Sequence, residues 1–179
     1  MMIKLSMLLG AALFGMINAR SADAQQVTKA TVPGVTNFSK LETTIACAGA
    51  TTPEAIPAIK DMGYKSVINL RMADEAGANV DAEAAAAKTA GIRYVHLPFN
   101  TASPDPKVAD QFIAAVGDPA NQPAFIHCAS ANRAAALWMI KRIVVDKWDA
   151  EKAGAEAAQL GLTNAGLKKF AIDYADSHK

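Results

Sequence analysis

Two hydrophobic patterns alternate along this chain. Short apolar or β-branched runs occur at residues 43–48 (TTIACA), 66–70 (SVINL), 93–97 (RYVHL) and 124–127 (AFIH), and each reads as a buried strand. Between them lie stretches with helical signals. Thr52-Pro53-Glu54 places a cap residue, a first-turn proline and an acid at a helix start, Pro57 predicts a distorted first turn, and Gly63 predicts the stop. Asp81 is placed to cap an alanine-rich helix that Gly91 ends. Val108, Phe112 and Val116 form a stripe at helical spacing in residues 107–116. Residues 133–147 are apolar on nearly every side until Lys141, which predicts a buried helix, and two further helices are expected over 149–160 and 165–175. One helix between each pair of strands predicts an α/β domain: a mostly parallel central sheet of four to five strands, flanked by helices in three layers.

The N-terminus breaks this pattern. A positive start (Met1 to Lys4), an uncharged apolar run (Leu5 to Ile17) and Ala22-Asp23-Ala24 read as an export signal, residues 1–24, cleaved after Ala24. The apolar run is shorter than the ~20 residues needed to span a bilayer. The protein is therefore expected in the periplasm or outside the cell, with no membrane anchor after cleavage. Residues 25–38 read as an irregular lead-in and residues 39–179 as the domain. A length of 179 residues suits one domain. The formal charge of +1 gives no basic excess for nucleic acid. Two cysteines cannot build a disulfide framework or a four-cysteine zinc site. His96 and His127 alternate within strands and read as satisfied histidines, so neither a metal nor another cofactor is expected.

Candidate chemistry gathers where strands give way to loops, since ligands of open parallel sheets bind beyond the carboxyl ends of the strands. His127-Cys128-Ala129-Ser130-Ala131-Asn132-Arg133 joins the last strand directly to a helix. Its backbone amides would converge at the positive helix end and favour an anion. The same donors, with nearby Arg and His, would stabilise a Cys128 thiolate. Arg133 could grip two oxygens of an oxyanion with its planar fork. His127 is expected to point away from the ligand and bond the loop from below. Arg71, Asn100 and Lys107 are candidates for the substrate mouth, and Phe99 and Tyr64 for an aromatic wall. Cys47, on the first strand, can share an end of the sheet with Cys128, and a bond between them requires their two strands to be neighbours.

FIHCASANRAAALW resembles the signature loop of the cysteine-dependent protein tyrosine and dual-specificity phosphatases. The nearest resemblance is to the phosphatase-like domain of the beta-lactamase hydrolase-like proteins, whose loop also has four residues between Cys and Arg. SVINLR, YVHLPF and IHC follow that family's order of core strands, and QLGLT is similar to exported members. The resemblance implies a phosphocysteine on Cys128, with Arg133 and the loop residues His127, Ala129, Ser130, Ala131 and Asn132 holding phosphate. The family's proton donor is an Asp after the third strand, which makes Asp105 the candidate and Asp74 the second. Related phosphatases more often set the SVINL strand beside the catalytic one, and it has no cysteine, so the resemblance implies a packing thiol at Cys47 and a free Cys128. The implied substrate is a phosphorylated protein or a small phosphoester.

The departures are specific. Most members of the wider superfamily have five loop residues between Cys and Arg. Ala131 stands where a glycine is usual and Ala134 where a Ser or Thr is common, and Asn100 and Thr101 occupy the usual place of the acid. The six-residue loop also fits a rhodanese-type sulfurtransferase carrying a persulfide on Cys128, although the upstream motif common in those enzymes is missing. A silent anion-binding module is the third reading. A thiosulfate-to-cyanide assay separates the second from the first.

Overall fold

The structure is a computed structural model that describes residues 26–41 and 44–178. The expected signal segment lies outside the described residues. Six strands form one sheet: β1 (Val27–Lys29), β2 (Ser39–Leu41), β3 (Ile45–Ala48), β4 (Ser66–Asn69), β5 (Arg93–His96) and β6 (Ala124–His127). Their order is β1-β2-β3-β6-β4-β5. The four strands β3, β6, β4 and β5 are parallel, and β1 and β2 add an antiparallel edge. The parallel, helix-flanked centre agrees with the sequence, but the sheet is wider than expected. The lead-in is not irregular throughout, because Val27–Lys29 pairs with Ser39–Leu41. A three-residue strand with two exposed positions gives no periodicity to read, and its pairing is fixed by a partner twelve residues on.

Helices α1 (Ile56–Asp61) and α2 (Val80–Ala90) cover one face, and α3 (Pro106–Gly117), α4 (Asn132–Val144), α5 (Ala150–Leu160) and α6 (Ala165–Asp176) build the other. Before α1, Pro53–Ala55 forms a 3-10 turn, the distortion expected beside Pro57, and the Thr52 side chain makes no capping bond. Asn79, not Asp81, occupies the cap of α2; Asp81 lies within its first turn, where an acid suits the helix dipole. Gly91 ends α2 at φ +68°.

Strand alternation sorts the side chains of β6. Ala124 and Ile126 enter the core beneath α4, whereas Phe125 enters the smaller core beneath α1 and α2. The same alternation sends Cys128 toward α4 and His127 toward α2, so two adjacent residues serve opposite faces of the sheet. The α4 helix lies at the centre of its layer, packed against both α5 and α6. Its Ala134 to Ile140 stretch is completely buried. This explains the all-round apolar pattern of the segment.

Candidate active site

The site begins where β6 ends. Cys128 extends the parallel ladder by one bond, its amide donating to the Ala48 carbonyl at 3.2 Å. The chain then turns through Ala129, Ser130 and Ala131 into α4. Ala131 caps α4 at φ +73° and ψ −14°, a left-handed conformation that glycine accepts more readily. Both sides of the loop are fastened. The Ala129 carbonyl accepts from Ala50 N (3.0 Å), and the Ser130 carbonyl accepts from Asn37 Nδ2 (3.4 Å). Asn132 Oδ1 accepts from the amides of Thr163 (2.7 Å) and Asn164 (2.8 Å), and Asn132 Nδ2 donates to Ser130 Oγ (3.2 Å). Asn132 therefore ties the α5–α6 connection to the loop, an assignment the sequence offers no motif for.

Arg133 enters the same space from the first turn of α4. Its guanidinium donates to the Leu70 carbonyl (3.1 Å) and the Phe99 carbonyl (3.0 Å), which lie just after β4 and β5. It also grips Glu75 through both terminal nitrogens, the Nη2 bond to Oε2 being 2.7 Å. Burial acts to lower Arg133, but Glu75 and the Cys128 sulfur outweigh it and hold the guanidinium above its ordinary pKa. Burial would likewise raise the Glu75 carboxyl. Arg133, the Met72 amide and Arg71 overcome this and bring its pKa down to about 2. Glu75 is 58 residues from Arg133 in the chain, and nothing in its local sequence marks it as a partner.

His127 points away from the loop, as expected, but it does not bond the loop from below. Its Nε2 stands 3.1 Å from Glu83 Oε2, both side chains being fully buried. The approach is misaligned for a hydrogen bond, and among the described residues neither imidazole nitrogen has a hydrogen-bond partner. Glu83 Oε2 accepts instead from Asn69 Nδ2 (2.7 Å) and the Tyr94 hydroxyl (3.2 Å). Glu83 sits within the alanine-rich helix, whose composition marks no buried acid.

Several candidates occupy other places. Asp105 is the cap of α3, its Oδ1 accepting from Lys107 N at 2.9 Å. An Asp immediately before a first-turn proline is itself a cap signal. Arg71 is not at a mouth: it is buried, and its guanidinium is spent on Glu75 and the carbonyls of Ala76 and Gly77. Asp74 and Asn100 do stand beside Arg133, lining with Met72, Glu75 and Thr101 a cavity of about 480 Å³. Neither proposed aromatic wall forms. Phe99 is fully buried against Phe170, and Tyr64 packs edge-on to Phe125 in the opposite core.

Both thiols are free and buried. SVINL does neighbour β6, but so does β3, with Cys47 opposite Ile126. Cys47 and Cys128 thus face the same side, offset by two residues across one strand spacing. That geometry separates their Cα atoms by about 8 Å, beyond the ~7 Å reach of an unstrained disulfide. Burial, then the nearby Cys128 and Glu156, push the Cys47 thiol well above its usual pKa, which suits a packing residue.

A strand-to-helix loop that opens on a cysteine and closes on an arginine defines a class, and comparison agrees. The family model for the phosphatase-like domain of beta-lactamase hydrolase-like proteins matches residues 37–145, and the chain belongs to that family. Solved structures share the fold. A DUF442 protein from Shewanella putrefaciens CN-32 superposes with a TM-score of 0.71 at 17% identity, over 82% of this chain and 93% of that one. P. aeruginosa TpbA gives 0.64 at 19% identity, over 88% and 92%. The catalytic core of the PP-IP phosphatase SIW14 from S. cerevisiae gives 0.65 at 21% identity, over 80% and 88%. No curated protein matches the chain.

Proposed function

We propose that the protein is an exported cysteine-dependent phosphatase that hydrolyses phosphate monoesters through a phosphocysteine on Cys128. The observation that carries this reading is the loop between β6 and α4, which opens on Cys128, turns through Ala131 at positive φ and brings Arg133 in on the first turn of the helix. Family membership supports the reaction class, and TpbA has been crystallised with phosphotyrosine. The signal-like segment at residues 1–24 supports export.

In the first step Cys128 Sγ attacks phosphorus. The S–P bond forms, the ester P–O bond breaks, and the leaving oxygen takes a proton from a carboxylic acid. Loop amides and Arg133 hold the charge on the equatorial oxygens. For this, Arg133 must share its fork between Glu75 and phosphate or turn from one to the other. In the second step water attacks phosphorus, its proton passes to the carboxylate, and the S–P bond breaks to return the thiolate and release phosphate. Asp74 takes the acid's role in preference to Asp105, because it lines the cavity beside Arg133 while Asp105 is engaged as a helix cap.

Turnover of an aryl phosphate by purified protein is the direct test. Cys128→Ser should abolish it while the fold persists. Arg133→Lys should lower it by about 10²–10³-fold, since a point charge cannot replace a bidentate fork. Full activity in Cys128→Ser would end the proposal. Asp74→Asn should slow alkyl phosphates about 10²-fold or more while sparing a nitrophenyl ester, whose leaving group needs no proton. Equal effects on both esters would remove Asp74 from the acid's role.

A further inference from the structure

The signature loop opens on two cavities of opposite character. Beside Arg133 lie the carboxylates of Asp74 and Glu75. On the other side is a larger groove of about 650 Å³, a size suited to a small-molecule ligand. Ser130 and Asn132 of the loop lie in its lining, which the β1–β2 segment completes on one side and Gly161 and Thr163 on the other. Its walls are preformed, because the loop is bonded to both. Asn37 holds Ser130, and Asn132 holds Thr163. The Gly49 and Ala50 amides, donating to the Thr36 and Ala129 carbonyls at 2.7 and 3.0 Å, fix the β1–β2 side further.

The chemistry of this lining is selective. Among the described residues it carries one charge, Lys29, and no carboxylate. Lys29 pairs in register with Ser39, so both side chains stand on one face of the sheet. No carboxylate forms an ion pair with Lys29 among the described residues. Thr31 and Ser39 add hydroxyls, and Ser130 Oγ, which accepts from Asn132, keeps its proton free to donate outward. Phe38 offers no stacking face: it is 5% exposed, and its ring stacks on Phe125 in the opposite core.

We infer that this groove receives the organic part of the substrate, and that it selects a polyhydroxylated small molecule carrying a second anionic group over a phosphotyrosine side chain. The inference rests on the proposed phosphatase reaction for the placement of the scissile phosphate in the loop. The ester oxygen then stands at the mouth between the two cavities. Asp74 reaches it from one side, and the polyol skeleton leaves by the other, its hydroxyls toward Thr31, Ser39 and Ser130 and its second phosphate toward Lys29. An aromatic ring placed there would desolvate these polar groups without replacing their hydrogen bonds.

Binding to the Cys128→Ser protein, measured by titration calorimetry, tests the groove without turnover. The probes are glucose 1,6-bisphosphate, glucose 6-phosphate and phosphotyrosine. The bisphosphate should bind about tenfold more tightly than either monophosphate, as one charge-assisted hydrogen bond allows. Adding Lys29→Gln should erase that preference, and adding Lys29→Arg should keep it. Phosphotyrosine binding as tightly as the bisphosphate, or a preference that survives Lys29→Gln, overturns the inference. Turnover of an aryl phosphate by the unsubstituted protein reports separately on the reaction. Turnover without a bisphosphate preference removes the groove alone, and the preference without turnover removes the reaction alone.

Discussion

Helix α4 carries an arginine–carboxylate pair at each end, and the two differ in what surrounds them. At its start Arg133 meets Glu75, whose side chain is 25% exposed and faces a cavity. Near its end Arg142 meets Glu156, 2% exposed, at 2.7 Å. Glu156 also accepts from Trp138 Nε1 at 2.8 Å, and the Arg142 guanidinium lies over the rings of Trp138 and Trp148. Nothing can replace Glu156 without entering the core. Glu75, by contrast, can be joined by a ligand arriving through open space. Identical chemical pairs therefore serve as a fixed strut at one end of the helix and an exchangeable hold at the other, and solvent access makes the difference.

Removing the carboxylate from each pair sharpens this contrast. Glu156→Gln takes from Arg142 the buried carboxylate beside the Trp138 ring while the Asp146 pair stays, and should cost about 3 kcal/mol of stability. Chemical denaturation measures this, and a loss below about 1 kcal/mol would show that the strut is dispensable.

Glu75→Gln should cost less, about 1 kcal/mol, because Arg133 keeps the Leu70 and Phe99 carbonyls and the site is open to water. Its cost should also depend on pH. The Glu75 carboxyl is lowered from 4.5 to about 2 in the folded protein. The charged form is thus the one that folding favours. Its stabilisation is fully present above about pH 4.5 and fades as pH falls toward 2. Melting curves of the two proteins should differ at neutral pH and converge in that acidic window. A difference that stays constant down to pH 2 would place the effect of Glu75 in packing rather than charge.

The same contrast explains what the sequence discloses. The α4 segment was legible because burial on all sides leaves an apolar run, and β6 is bounded as expected because a four-residue buried strand follows a proline. Cys128 and Arg133 were legible because a turn between strand and helix confines them to one loop. Their partners were not. Glu75 belongs to a polar turn after β4 and Glu83 to an alanine-rich helix, and each reaches the site only through the packing of the sheet. Asp105 differs again: its place after β5 suggests chemistry, while the proline that follows it specifies the cap that the structure shows.

The loop end of α4 carries one more sign of its divergence from the strut end, and the smallest expected effect. Ala131 holds φ +73°, which costs about 1 kcal/mol relative to glycine. Ala131→Gly should nevertheless change stability by less than about 0.5 kcal/mol. The buried methyl is worth about 0.8 kcal/mol, and its loss nearly offsets the relief of strain. The methyl lies against Gly161, where an added Cβ would stand 2.9 Å from that of Ala131. Gly161 itself is at φ +117°, so Gly161→Ala meets both a strained backbone and a clash and should cost about 2 kcal/mol or more. In the Ala131→Gly background the clash disappears while the strain remains. The cost of Gly161→Ala should then fall by about 1 kcal/mol, a coupling measurable by a double-mutant denaturation cycle. Additive behaviour would mean that the α5–α6 connection shifts to make room, and that the loop end of α4 is held less firmly than its bonds through Asn132 imply.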